Sequence, residues 1–108
     1  TEANALNFLG NALGNLGKSY EAIDAYQKSI EISRAIGNRR AEGNAVGNLG
    51  IIHFDLGDYQ RAIEYYEESR AIRQEIGDLR GEDQNIGNIG LAYFHLGDYD
   101  KALEFHEK

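Results

Sequence analysis

The sequence predicts an all-α fold, an α-solenoid of tandem antiparallel helical hairpins. Three observations predict it. Gly17, Gly57 and Gly97 stand 40 residues apart, and each follows a similar stretch: Asn7-Phe8-Leu9-Gly10, Gly47-Asn48-Leu49-Gly50 and Gly87-Asn88-Ile89-Gly90. A fixed period of this size marks stacked supersecondary units. Between the glycines, apolar residues recur at three- and four-residue intervals, the spacing of one helix face. Proline is absent, which suits helices joined by short turns.

The elements follow in order. Glu2 to Leu16 carries Leu6, Leu9, Leu13 and Leu16 on one face, and Gly17 stops it as a left-handed terminator. A second helix runs from about Ser19 to Ile36, with Ala22, Ile23, Tyr26, Ile30 and Ile36 expected inward, and Gly37-Asn38 closes it. The next helix turns Val46, Leu49, His53 and Leu56 inward. Asp58 then caps a helix carrying Tyr59, Ala62, Ile63, Tyr66, Ile72 and Ile76. Gly77-Asp78 separates it from a helix with Ile86, Ile89, Tyr93 and Leu96 inward. Asp98 caps the last, with Tyr99, Ala102, Leu103 and Phe105. Gly47, Gly50, Gly87 and Gly90 fall inside helices, where each costs about 1 kcal/mol relative to Ala. Close approach of a neighbouring helix is their expected reason, with Ala62 and Ala102 facing them.

Composition narrows the function. The 108 residues suffice for one small domain, read as a single array over 1–108 with units at about 2–37, 38–77 and 78–108. No Met stands at position 1 and the pattern runs on to Lys108, so a piece of a longer array is expected. Cysteine is absent, which removes disulfides and thiolate metal sites. No apolar run approaches the roughly 18 residues that span a bilayer, and no signal peptide is visible. A cytoplasmic chain without a membrane partner is expected. A net charge of −7 argues against nucleic acid, whose phosphates need a basic surface.

The spacing now carries a family resemblance. Val46, Leu49-Gly50, His53, Gly57-Asp58-Tyr59, Ala62 and Tyr66 resemble the tetratricopeptide repeat, as do Ile86, Ile89-Gly90, Tyr93, Gly97-Asp98-Tyr99, Ala102 and His106. Leu6, Leu9-Gly10, Leu13, Gly17, Ala22 and Tyr26 match less fully, because Lys18-Ser19 replaces Asp-Tyr. The family's usual period is 34 residues. The 40-residue form is similar to the repeats of Pins-type spindle adaptors and kinesin light chains, and lengthens each second helix. The resemblance implies a right-handed superhelix whose first helices line a concave side.

On that side the stripes beside the core are Asn44, Asn48, Ile51 and Asp55, then Gln84, Asn88, Leu91 and His95, then Asn4, Phe8, Asn11 and Asn15 with Asn7 beside them. Stacking the units makes a groove of carboxamides over an apolar strip. A carboxamide offers a donor and an acceptor and so suits the backbone of an extended peptide. In the resembling families such asparagines hold peptide backbones, a role that carries over most directly to Asn48 and Asn88. The chaperone-tail form of the fold uses groove lysines and arginines, which these stripes lack, so that ligand is not expected.

Other chemistry finds little support. His53 and His106 occupy core positions and are read as packing, while His95 faces the groove. No histidine has metal-ligand spacing. No cofactor and no catalysis are expected: no phosphate loop or nucleophile–base pair stands out, and Ser29 and Ser69 fall at small packing positions. Glu21, Asp24, Glu31, Glu64, Glu67, Glu68 and Glu75, interleaved with Arg34, Arg61, Arg70 and Arg73, read as a solvated convex face. Arg39, Arg40 and Arg80 lie near the turns and could steer an acidic peptide. The expected partner is a protein or peptide in the groove. The alternative is a homo-oligomer joined through open ends, with Tyr93, Leu103 and Phe105 partly uncovered.

Overall fold

A computed structural model describes residues 1–106. The described residues form six α-helices: α1 Glu2–Asn15, α2 Ser19–Ile36, α3 Arg39–Asp55, α4 Tyr59–Ile76, α5 Leu79–Leu96 and α6 Tyr99–His106. Each packs on the one before it, and α1 also reaches α3. The result is the expected all-α solenoid of paired antiparallel helices.

The turns explain why the pairs repeat. Gly17, Gly37, Gly57, Gly77 and Gly97 all have positive φ, between 73° and 83°, a conformation that side chains disfavour. Behind each glycine the next N–H reaches five residues back. Asn38 bonds Ser33 O, Asp58 bonds His53 O, Asp78 bonds Arg73 O and Asp98 bonds Tyr93 O. This satisfies carbonyls the helix end would otherwise leave open. The same four residues then start the next helix, their side-chain oxygens accepting from the amides of Ala41, Arg61, Gly81 and Lys101. A cap of this kind contributes about 1 kcal/mol. Lys18 offers none to α2.

Small residues let the helices approach. A Cβ built on Gly10 would stand 2.5 Å from the Tyr26 ring, and one on Gly50 would stand 2.6 Å from the Tyr66 ring and 3.3 Å from Ala62 O. Gly90 faces Ala102 O at 3.5 Å in the same way. The serine hydroxyls repeat with the period too: Ser29 donates to Ala3 O and Ser69 to Gly43 O, each at 2.9 Å. Two apolar clusters result. Ala22, Tyr26, Ala45, Leu49 and Ile52 form one; Ala62, Ile63, Tyr66, Ile89 and Ala92 form the other.

Several expected inward positions are corrected. Leu9, Leu16, Ile36, Leu56, Leu96 and Tyr99 are exposed, and so is His106. In α1 the buried residues are Ala3, Asn7 and Gly10: the Tyr26 ring of α2 lies against Gly10, Ser29 of α2 bonds Ala3 O, and Asn7 reaches Ala41 O of α3. Gly87 also departs from expectation: among the described residues nothing lies within 4 Å of a Cβ built there.

Candidate functional site

Helix α3 is enclosed on nearly all sides. Ala41, Glu42, Gly43, Ala45, Val46, Gly47, Leu49, Gly50 and Ile52 are buried. One stripe stays accessible within this stretch: Asn44 and Asn48 half-buried, then Ile51 and Asp55 exposed. At 100° per residue these four fall on one narrow face. Helix α5 repeats the plan. Gly81, Asn85, Ile89, Gly90 and Ala92 are buried, Asn88 is half-buried, and Gln84, Leu91 and His95 are exposed. On α1, Asn4, Phe8, Asn11 and Asn15 are exposed.

The amides divide into two sets. Asn7 donates to Ala41 O at 3.2 Å, Asn85 donates to Ser69 Oγ at 3.0 Å, and Asn11 Oδ1 accepts from Tyr26 Oη at 2.5 Å. These hold helices together, and burial pushes the Tyr26 hydroxyl up to about 12. By contrast, the side chains of Asn44, Asn48, Gln84 and Asn88 make no hydrogen bond among the described residues. Their donors and acceptors are left to solvent or to a ligand. Asn85 went unnoticed in the sequence; its signal was its place 40 residues after Ala45, a buried position.

His95 lies against aromatic rings at the edge of its stripe. It stacks on Tyr59 (5.0 Å between centroids, 15° between planes) and meets the edge of Phe54 at 5.2 Å. His53 stacks on Tyr65 at 5.2 Å, and burial lowers its pKa, outweighing Asp58 nearby. Among the described residues no group of three or more His, Asp or Glu is arranged to hold a metal.

The charges are more structural than a solvated face implies. Arg39 bonds Glu42 at 2.7 Å and Glu75 at 2.6 Å, and Arg34 bonds Glu42 at 2.9 Å. Burial alone would raise the Glu42 carboxyl, but these guanidinium groups outweigh it and hold it below the usual carboxylate range. Asp78 is held low first by the Gly81 amide and then by Arg73 at 2.6 Å, with Arg40 at 3.7 Å. Arg39 and Arg40 are therefore engaged between helices, and Arg70 and Arg73 are half-buried. Arg80 is exposed.

At the far end, Gly87, Gly90, Leu91, Phe94, Tyr99, Ala102, Leu103 and His106 line an apolar cavity of about 450 Å³ between α5 and α6. Tyr93 and Phe105, half-buried, stack on each other at 5.7 Å instead of opening into it. Among the described residues no helix is long and apolar enough to cross a membrane.

Comparison with known proteins places this geometry. No curated protein matches the chain. Among solved structures it is similar to the TPR domain of Arabidopsis FLU, at 24% identity over 98% of this chain and 89% of that one, with a TM-score of 0.92. It is similar to MamA at 29% identity, covering 99% of this chain and 56% of that one, with a TM-score of 0.80. The second TPR of Spaghetti (RPAP3), solved bound to the HSP90 peptide SRMEEVD, shares the fold at 19% identity and a TM-score of 0.79, over 99% of this chain and 88% of that one. Models of the tetratricopeptide repeat match residues 1–75 and 84–108. With the turn glycines, the Gly–Ala approaches and the paired helices, these matches make the chain a member of the tetratricopeptide repeat family.

Proposed function

We propose that this chain is a non-catalytic protein-interaction module that holds an extended peptide or a partner helix across α3 and α5. One observation carries the reading. The only accessible stripe within the buried stretch of α3 bears unbonded carboxamides beside exposed Ile51, and α5 repeats it with Gln84, Asn88 and Leu91. Asn48 and Asn88 act as the central clamps on the peptide backbone, flanked by Asn44, Gln84 and the free amide nitrogen of Asn11. Asp55 and His95 border the groove, and Ile51 and Leu91 meet ligand side chains. Each hydrogen bond nets about 0.5–1.5 kcal/mol. Four of them with two apolar contacts fit an affinity of about micromolar. A similar fold bound to a peptide supports the reading. The stripes hold no Lys or Arg, so the ligand need not end in a captured carboxylate. The 40-residue period supports a kinship with the extended repeats of Pins-type adaptors and kinesin light chains.

The experiment selects a peptide from a displayed library against the 108-residue chain. Its affinity is then compared with that for Asn48→Ala/Asn88→Ala. A loss of ten-fold or more at unchanged helicity is expected. Equal affinity would refute the groove assignment.

A second reading, self-association, is favoured by the exposed Leu103 lining the α5–α6 cavity. The two readings meet at Leu91, which lies on the α5 stripe and also lines that cavity.

A further inference from the structure

The second helices of neighbouring pairs meet in two related ways, and one of the two places holds a cation that the other lacks. Between α4 and α6, Arg70 lies over the Phe105 ring, 6.0 Å from its centre. Glu67 and Glu82 approach the same guanidinium at 3.8 and 3.7 Å. Forty residues earlier, between α2 and α4, the frame is kept. Tyr65 stands for Phe105, and Glu42 for Glu82. His53 stacks on Tyr65 at 5.2 Å, as Tyr93 stacks on Phe105 at 5.7 Å. The arginine is not kept: Ile30 stands at its position.

Ile30 packs with Tyr65 at the edge of the first apolar cluster, but it is short and uncharged. A cavity of about 490 Å³ remains between α2 and α4. Buried Leu49 of α3 is its floor, half-buried Ile30 and Tyr65 its walls, and exposed Gln27, Glu31 and Glu68 its rim. Arg34 reaches the rim too, but it and Arg39 are matched by Glu42 and Glu75. Glu31 and Glu68 make no ion pair among the described residues. The cavity lies inside the stack, bounded by consecutive pairs of helices, and shares no residue with the α3 and α5 stripes.

We infer that this cavity receives an arginine side chain presented by a partner protein. The aliphatic stem lies along Ile30 and Leu49. The guanidinium stands over Tyr65 as that of Arg70 stands over Phe105, and Glu31 and Glu68 meet its charge. The acidic rim and the net charge of −7 select a cation. The aromatic wall selects arginine among cations. A guanidinium is flat, weakly hydrated and able to stack on a ring while reaching two carboxylates, whereas an ammonium is a compact, strongly hydrated point charge. The site is separate from the α3–α5 groove, so both can be occupied at once. Added salt should weaken the arginine contact by screening the rim.

The test titrates blocked tripeptides, acetyl-Gly-Xaa-Gly-amide with arginine, lysine or citrulline at the centre, into the isotope-labelled chain. Citrulline keeps the shape of arginine and lacks its charge. The methyl signals of Ile30 and Leu49 and the ring signals of Tyr65 are followed. The arginine probe should move them together and saturably, with lysine about three-fold weaker and citrulline about ten-fold weaker. Ile30→Arg supplies the side chain from within and should weaken the arginine probe about ten-fold, read from Leu49 and Tyr65. Should that variant lose its helicity, Glu31→Gln/Glu68→Gln, at two exposed positions, should give a loss of about the same size. Asn48→Ala/Asn88→Ala should bind the probe as the parent does. Drawing the α3–α5 peptide from an arginine-free library keeps the two sites apart. Signals that stay still under the arginine probe overturn the inference. So do citrulline binding as tightly as arginine, an unweakened Ile30→Arg chain, and loss of the probe in the asparagine variant.

Discussion

Gly50 of α3 faces Tyr66 of α4 so closely that an added Cβ would stand 2.6 Å from the ring, with Ala62 O at 3.3 Å blocking retreat. Ala is the better helix former by about 1 kcal/mol. Overpacking a close contact costs about 1–3 kcal/mol. The second effect should win at this site, because the ring is buried and the carbonyl belongs to a helix. Gly50→Ala is expected to lower stability by up to about 2 kcal/mol. Gly87→Ala, whose added Cβ meets nothing within 4 Å among the described residues, should raise stability by about 0.5–1 kcal/mol. Urea denaturation at low protein concentration separates them. Equal shifts in the two variants would contradict the close-approach account.

Ser69 and Ser33 are both buried, yet they differ in bonding. Ser69 donates to Gly43 O and accepts from Asn85, joining α3, α4 and α5. Among the described residues the Ser33 hydroxyl has no hydrogen-bond partner. Ser69→Ala strands the Asn85 amide and should cost about 1–3 kcal/mol. Ser33→Ala removes only an unsatisfied group and should be neutral or slightly stabilising. Thermal or chemical melts of the two alanine variants check this. A Ser33→Ala variant less stable than Ser69→Ala would overturn it.

Glu42 makes stability depend on acid. Its folded pKa lies below the ordinary value of 4.5, so the unfolded chain takes up the proton first as pH falls. The stabilisation is fully present above pH 4.5 and is lost as pH drops through the folded value. Glu42→Gln should cost about 1–2 kcal/mol near neutrality, at the low end for charged hydrogen bonds because both guanidinium groups are half in water. Parent and variant should converge under acid, with Asp78 contributing its own acid loss to both. Urea midpoints measured across the acid range give the comparison. A constant gap at every pH would show that Glu42 is not the titrating group.

Much of this architecture is legible in the residues. The glycines that need positive φ punctuate the chain every 20 residues, and the Asn or Asp after four of them supplies the caps. The bounds of α2 fall where periodicity puts them, at Ser19 and Ile36. Less legible is which side of a helix faces which neighbour. The leucines of α1 mark a helical face, but the Tyr26 ring of α2 lies against Gly10, and the adjoining side of Ala3, Asn7 and Gly10 is the buried one, with Leu13 packed at its edge. Burial of Glu42 was hidden because carboxylates usually sit in water; only its two arginine partners make that position tolerable. In the candidate site, spacing placed the amides on stripes, but could not separate Asn48 and Asn88 from Asn7 and Asn85. That separation depends on the neighbour within reach, Ala41 O or Ser69 Oγ, and such contacts exist only after stacking.

The central claim is that the unbonded amides of α3 and α5 receive a peptide. Titration of a library-selected peptide into the isotope-labelled chain, following side-chain amide resonances, tests it most directly. The account predicts that the signals of Asn44, Asn48, Gln84 and Asn88 move together and saturate at one stoichiometry, while those of Asn7 and Asn85 and the backbone signals of Glu64, Glu67 and Glu68 on α4 stay in place. Movement confined to α4, with the four amides still, would contradict it.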